Sequence, residues 1–202
     1  MTPAMGLLPR AIARIKQQSP LIRIGVQLET SNILLDLLQR GTLDFMIGRI
    51  IEKESTPDLV YEELTDEPAC AVVRVGHPLL KAKNLQLKDI AELPWILPPQ
   101  GSILRHRCDM MFRRAGLATP INVVDSTALL FIEALLQETD SLNVMPIEVA
   151  KYYASMNILS IVPIELPFKM DAFGIITKQD HLLSPSADLL LQAIRVVARE
   201  IY

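Results

Sequence analysis

The side chains in this sequence best suited to hold a small polar molecule are hydroxyls and one guanidinium, set where apolar runs give way to helical ones. Thr30 and Ser31 stand between an apolar run (Ile22, Ile24, Val26, Leu28) and the segment SNILLDLLQR, in which Leu34, Leu37 and Leu38 share one helical face. A hydroxyl beside the orphan N–H groups of a helix start can hold a carboxylate, because those donors and the helix dipole favour negative charge. The same pair would serve equally as an ordinary N-cap. Arg49 follows a second apolar run, residues 43–47, and Gly48. Its guanidinium can pair with a carboxylate or an array of sugar hydroxyls, or simply end a strand at the surface. Two comparable starts lie further on: Gly101-Ser102, ahead of Leu104, Cys108, Met111 and Phe112, and Asp125-Ser126-Thr127, ahead of the segment ending at Gln137. Capping accounts for both as readily as ligand contact does.

The elements that would position these groups alternate. An amphipathic helix is predicted over residues 2–18; Pro9 belongs in a first turn, so its regular part should begin near Gly6 to Leu8. Strands are predicted at 22–28, 43–47, 59–64, 69–75, 95–97, 121–124, 142–145, 158–162 and 172–177, with a charged loop, IEKESTPD, after the second. Helices fall at 31–40, at 87–93, after Ser102, after Thr127, after Pro146 and after Ser184-Pro185. Such alternation implies an α/β fold with mainly parallel sheets. The chain leaves one β/α run near Val73 to Gly76 and a second near Pro163 to Pro167. That points to a discontinuous first lobe, 1–73 plus 166–202, with a second lobe, 74–165, inserted between two crossing strands. Two crossings make a hinge, and a cleft between lobes is a common ligand site. Strand ends with polar turns suit such a cleft. Met145-Pro146 would form an adjoining wall.

Composition narrows the function. The 202 residues carry a net charge of −3, so the chain has no basic excess for phosphate contacts, and nucleic acid would have to be bound by another segment. Half the residues are hydrophobic, yet no apolar run approaches the roughly 18–20 residues of a membrane span. The amino terminus lacks the order of a signal peptide, which implies a cytoplasmic protein. Cys70 and Cys108 have no metal spacing and read as buried free thiols, although one disulfide stays open. His77, His106 and His181 show no metal-ligand pattern either, and no cofactor is implied. There is no G-x-S-x-G, Walker loop or G-x-G-x-x-G, so catalysis has little support.

The stretch LLPRAIARIKQQSPLIRIGVQLETSNILLDLLQRGTLDFMIGR resembles the effector-binding domain of LysR-type transcriptional regulators. The likeness continues through GHPLLKAKNLQLKDIAELPWILPPQGS and FGIITKQDHLLSPSADLLLQAIR, covering essentially the whole chain, and in detail it is most like the subgroup containing the galactose-binding-protein regulator. The resemblance implies two Rossmann-like lobes of the type 2 periplasmic-binding-protein fold, and a small effector, a sugar or small organic acid, held between them. It implies a homodimer or homotetramer that reaches promoter DNA only through a winged helix-turn-helix domain absent from this sequence. It also implies that the chain begins just after the first strand of the domain. Thr2 then occupies a place where family members often carry an effector-binding Ser or Thr. The candidate set is Thr2, Thr30, Ser31, Arg49, Ser102 and Ser126. A stand-alone solute-binding protein of the same fold is the alternative reading, and an enzyme on this fold a second.

Overall fold

The computed structural model describes residues 2–50, 58–179 and 182–202; all but the last residue of the expected charged loop, and His181, lie outside them. In chain order the described elements are α1 (Thr2–Met5), α2 (Leu7–Gln18), α3 (Ser31–Gln39), β1 (Met46–Gly48), β2 (Leu59–Thr65) and β3 (Ala69–Arg74). A single 3-10 turn, Pro78–Lys81, precedes α4 (Leu87–Ala91), β4 (Trp95–Leu97), α5 (Ile103–Arg114), β5 (Val123–Asp125) and α6 (Leu129–Glu138). The chain ends through β6 (Leu142–Pro146), α7 (Ile147–Ser155), β7 (Leu159–Ile161), β8 (Phe173–Lys178) and α8 (Pro185–Ile201). No described helix is long and apolar enough to cross a membrane.

Local chemistry explains the boundaries. Pro9 is the third residue of α2, where its missing N–H would have had no intrahelical partner. α3 ends on Gly41 at φ +75°, with Gly41 N–H donating to Leu38 C=O (3.0 Å) and Thr42 N–H to Leu37 C=O (2.9 Å). α5 closes the same way on Gly116 at φ +70°. Both are left-handed caps that a residue without a Cβ adopts at little cost. α8 starts on Ser184, whose Oγ accepts from Ala187 N–H, with Pro185 at its first position.

The chain forms two compact units. One comprises Met1–Asp66 and Asp171–Tyr202, the other Glu67–Met170. The first holds a three-stranded sheet, β1-β8-β2, with both pairings antiparallel. Its central strand turns Ile175 towards a core of Leu7, Ala11, Ile15, Leu191, Ile194 and Val197, from α2 and α8. Ile176 packs on the other face with Leu34 and Leu38 of α3 and Met46. Arg14 of α2 and Glu200 of α8 add a two-pronged ion pair (2.9 and 2.6 Å) at the exposed rim.

The second unit holds a five-stranded sheet, β5-β4-β6-β3-β7, in which β4 runs parallel to β5 and β6 while β3 runs antiparallel to β6 and β7. Both faces are covered, as the nearly continuous apolar reading of β3 requires. Ala71 and Val73 pack with Trp95, Cys108 and Phe112; Cys70 and Val72 pack with Ile132, Leu136, Met145 and Tyr153. Cys70 and Cys108 thus belong to different core clusters and are free thiols. Burial pushes their pKa values up to about 11 and about 12. Neither thiol is expected to react with a soluble thiol reagent at pH 8 until the unit unfolds, which a stopped-flow thiol assay with and without denaturant would check. Because these folded values lie above the unfolded one, the stability they carry is complete below about pH 9 and is lost as pH rises towards 11–12.

Five expectations are corrected by this structure. Residues 22–28 form no strand: Ile22 and Ile24 lean on the α2/α8 core, but Val26 and Leu28 are exposed and no described strand lies against the segment to complete a ladder. The sheets are not mainly parallel, because β8 arrives from the far end of the chain to lie antiparallel between β1 and β2. The change of unit falls at Asp66/Glu67 and Met170/Asp171 rather than at 73/74 and 165/166, since β3 pairs with β6 and β7. The turn 125–127 does not cap α6 directly; Ala128 is its N-cap, and Pro146 stands at the N-cap of α7 rather than its first position.

Candidate functional site

In the first unit the start of α3 and the end of β1 meet. Thr30 is the N-cap in extended conformation (φ −69°, ψ 152°), and its hydroxyl makes no capping hydrogen bond. Ser31 Oγ accepts the backbone N–H of Arg49 (3.1 Å). That approach depends on Gly48: a Cβ there would lie 3.0 Å from Ser31 Oγ and 2.6 Å from the Met46 terminal methyl. The result is a polar strand end beside a helix start whose own cap residue leaves its first-turn N–H groups to other acceptors.

Arg49 is tied down by its side chain as well. Its Nε donates to the carbonyl of Asp171 (2.6 Å), and the guanidinium lies 5.7 Å from the Phe173 ring centroid. Tyr61, which the sequence did not single out, donates its hydroxyl to the next carbonyl, Ala172 (2.7 Å). Burial, and then the charge of Glu63, push the Tyr61 phenol up to about 12, with the Arg49 charge working against that rise. Arg49 and Tyr61 together hold two successive peptide groups where the chain returns into the first unit. Thr2 opens α1, and its hydroxyl is buried without a hydrogen-bond partner among the described residues. No hydrogen bond joins it to Thr30, Ser31 or Arg49 among them.

In the second unit Ser102 is buried and is the N-cap of α5, its Oγ accepting from Arg105 N–H (3.3 Å). Ser126 N–H donates to Leu97 C=O (2.9 Å), continuing the parallel β4–β5 pairing by one step, and Ser126 Oγ accepts from Ala128 N–H (3.1 Å). Both turns therefore sit at the carboxyl ends of neighbouring parallel strands, the edge at which open α/β sheets bind ligands. Arg105, also missed from sequence, is buried between them. Its Nη1 donates to Pro98 C=O (3.2 Å) and Asp125 Oδ1 (2.7 Å), and its Nε to Asp109 Oδ1 (3.2 Å). The available signal was an arginine in a helix's first turn with an aspartate four residues on.

Two other side chains, His77 and Trp95, make hydrogen bonds within their own unit. His77 Nδ1 accepts from Leu79 N–H at the start of the 3-10 turn, and its Nε2 lies 3.2 Å from Asp140 C=O. Trp95 Nε1 donates to Ile90 C=O (2.9 Å), and its ring meets Phe112 edge-on. Among the described residues no cluster of His, Cys, Asp and Glu is placed to hold a metal ion.

Two α/β units crossed twice by the chain, with polar turns past their strand ends, have the architecture of type 2 periplasmic-binding-protein-like domains. The comparison with known proteins names the branch: residues 1–199 match the LysR substrate binding domain, and the chain belongs to that family. It is 33% identical over 199 residues to the HTH-type transcriptional regulator GbpR of Azospirillum brasilense, covering 98% of this chain and 58% of that protein. It is 34% identical over 194 residues to the HTH-type transcriptional regulator GalR of Pseudomonas putida, covering 96% of this chain and 49% of that one. The chain thus spans about half the length of these curated relatives. Among solved structures, the effector-binding domain of QuiR in complex with shikimate superposes with a TM-score of 0.78 at 18% identity, covering 100% of this chain and 94% of that one. That likeness establishes the fold.

Proposed function

We propose that this chain is the effector-sensing part of a cytoplasmic LysR-type transcriptional regulator, which binds a small sugar or organic acid and thereby alters how the whole protein acts on promoter DNA. The observation that carries this reading is the family match over residues 1–199. The relatives being named as HTH-type transcriptional regulators supports it over a stand-alone solute-binding protein. The proposed contacts are Thr30, Ser31 and Arg49 in the first unit and Ser102 and Ser126 in the second, with Thr2 as a further hydroxyl. DNA would be reached through a helix-turn-helix domain of the full-length protein, as a homodimer or homotetramer. A signal requires the effector to prefer one arrangement of the protein, since equal affinity for two arrangements shifts neither.

Thermal unfolding of the domain with D-galactose, D-glucose, shikimate and benzoate tests the reading. A probe at 100 times its dissociation constant should add about 2.7 kcal/mol of stability. Thr30→Ala and Ser102→Ala should each remove most of that gain. Ser102→Ala should also cost about 1 kcal/mol without ligand, because it deletes the α5 cap. The gain is therefore compared within each variant. A probe that stabilises both variants as strongly as the wild type would remove these residues from the site.

A further inference from the structure

We infer that Arg105 is a positioning residue that sets the geometry of both polar turns of the second unit, the one ending at Ser102 and the one at Asp125-Ser126. What those turns are for rests on the function proposed above; that one side chain holds both rests on the geometry alone.

Arg105 stands at the third position of α5, in the turn where the helix dipole disfavours a cation. It is also buried, which adds a desolvation cost that only good partners offset. Its partners sit on three different pieces of chain. Pro98 C=O belongs to the loop leaving β4, Asp125 is the last residue of β5, and Asp109 lies one turn further along α5. A planar guanidinium can serve all three at once; a point-charge ammonium of similar length cannot. The backbone of Arg105 completes the arrangement, since its N–H is the one Ser102 caps.

These bonds tie together the ends of two neighbouring strands. β4 and β5 are parallel neighbours whose last register pair is Leu97 with Asp125, and beyond it only Ser126 N–H to Leu97 C=O continues the pairing. From there the chains diverge, one into α5 and one into α6. Arg105 clamps them at that point. Its charge is met by two carboxylates, and the Asp125 side chain is half exposed while that of Arg105 is 9% exposed. Arg105 therefore acts through the turns it holds, whereas Asp125 is open to solvent beside Ser126.

Backbone amide exchange, followed by NMR on the whole domain without ligand, tests this independently of any effector. Asp125→Asn removes the charge from an exposed strand end and should leave the fold intact. It is expected to speed exchange at Ser126 and Ala128 by at least about ten-fold while Val72, in the middle of the same sheet, is unchanged. Arg105→Gln should show the same pattern and add the backbone amide at position 105, which Ser102 caps; Arg105→Lys should fail to restore protection. Uniform acceleration across the unit in Asp125→Asn, or unchanged exchange at Ser126, would overturn the inference. Should one of the four probes stabilise the wild type and Arg105→Gln equally, the effector reading would survive, and the turns held by Arg105 would be excluded from that probe's site. Should no probe bind while the local exchange pattern appears, the positioning role stands and these four compounds are excluded as effectors.

Discussion

Gly174→Ala is expected to destabilise the first unit by roughly 3 kcal/mol, the upper part of the range for overpacking a close-fitted core. Gly174 lies in β8, the central strand of the β1-β8-β2 sheet. A Cβ there would fall 2.4 Å from the carbonyl oxygen of Glu62 and 2.8 Å from the Tyr61 ring. The first of these is backbone of the neighbouring strand, one residue along from Glu63, the register partner of Gly174, and cannot swing aside as a flexible side chain would. Relief would require β2 and β8 to separate or Tyr61 to leave its place, and Tyr61 is held through its hydroxyl to Ala172 C=O. Gly25→Ala is the control, since nothing lies within 4 Å of a Cβ at that position. It should stay within about 0.5 kcal/mol of the wild type. Circular dichroism melts of the three proteins check the pair, and equal midpoints for all three would show that the sheet yields at Gly174.

Why the close approach at Gly174 could not be foreseen follows from where its partners lie in the chain. Glu62 is more than a hundred residues away, and nothing in FGIITK names its neighbour. Strand direction is hidden in the same way. Alternating strands and helices suggest parallel pairing, but β8 joins β1 and β2 from the end of the chain and reverses it. Signals with a local cause were readable. Gly41 and Gly116 end their helices because the left-handed conformation is cheap only there, and Ser102 and Ser184 cap theirs through the hydroxyls that mark them. The apolar run at 22–28 misled because hydrophobicity and β-branching describe a surface that fits a sheet, while a strand exists only where another backbone meets it. Val26 and Leu28 are exposed for want of one.

The candidate site shows the same division between local and distant causes. Thr30, Ser31, Ser102 and Ser126 were legible as hydroxyls at turns: the first three stand at helix starts and Ser126 just past the end of β5. Their supports, Tyr61 and Arg105, were not, because each acts on groups far off in sequence: Ala172 for one, Asp125 for the other. Arg49 was legible as a residue type but not in what it holds. Read alone, a guanidinium after Gly48 suits either a ligand or a strand end at the surface; in the folded unit its Nε is held by the carbonyl of Asp171.

Arg49→Ala accordingly has two expected effects, and they separate the structural part of this residue from any contact with a ligand. Deletion of the side chain removes a charge-assisted hydrogen bond to Asp171 C=O and the stacking on Phe173, together about 2 kcal/mol of stability for a partly exposed group. Urea unfolding of the unliganded domain would read that loss. Arg49→Lys should recover less than half of it, because an ammonium keeps the charge but not the planar face that covers the ring. The hydrogen bond from the Arg49 backbone to Ser31 Oγ survives both substitutions, so the α3 start keeps its anchor. If the guanidinium also meets the effector, a probe that stabilises the wild type should bind Arg49→Lys and Arg49→Ala at least about ten-fold more weakly, a larger deficit than the return strand alone would impose. If it serves only to fix the chain at Asp171, affinity in Arg49→Lys should stay within about two-fold of the wild type while the stability loss persists. The lysine variant therefore decides between the two roles, because it alone leaves a charge at the strand end while giving up the geometry that binds it to Asp171 and Phe173.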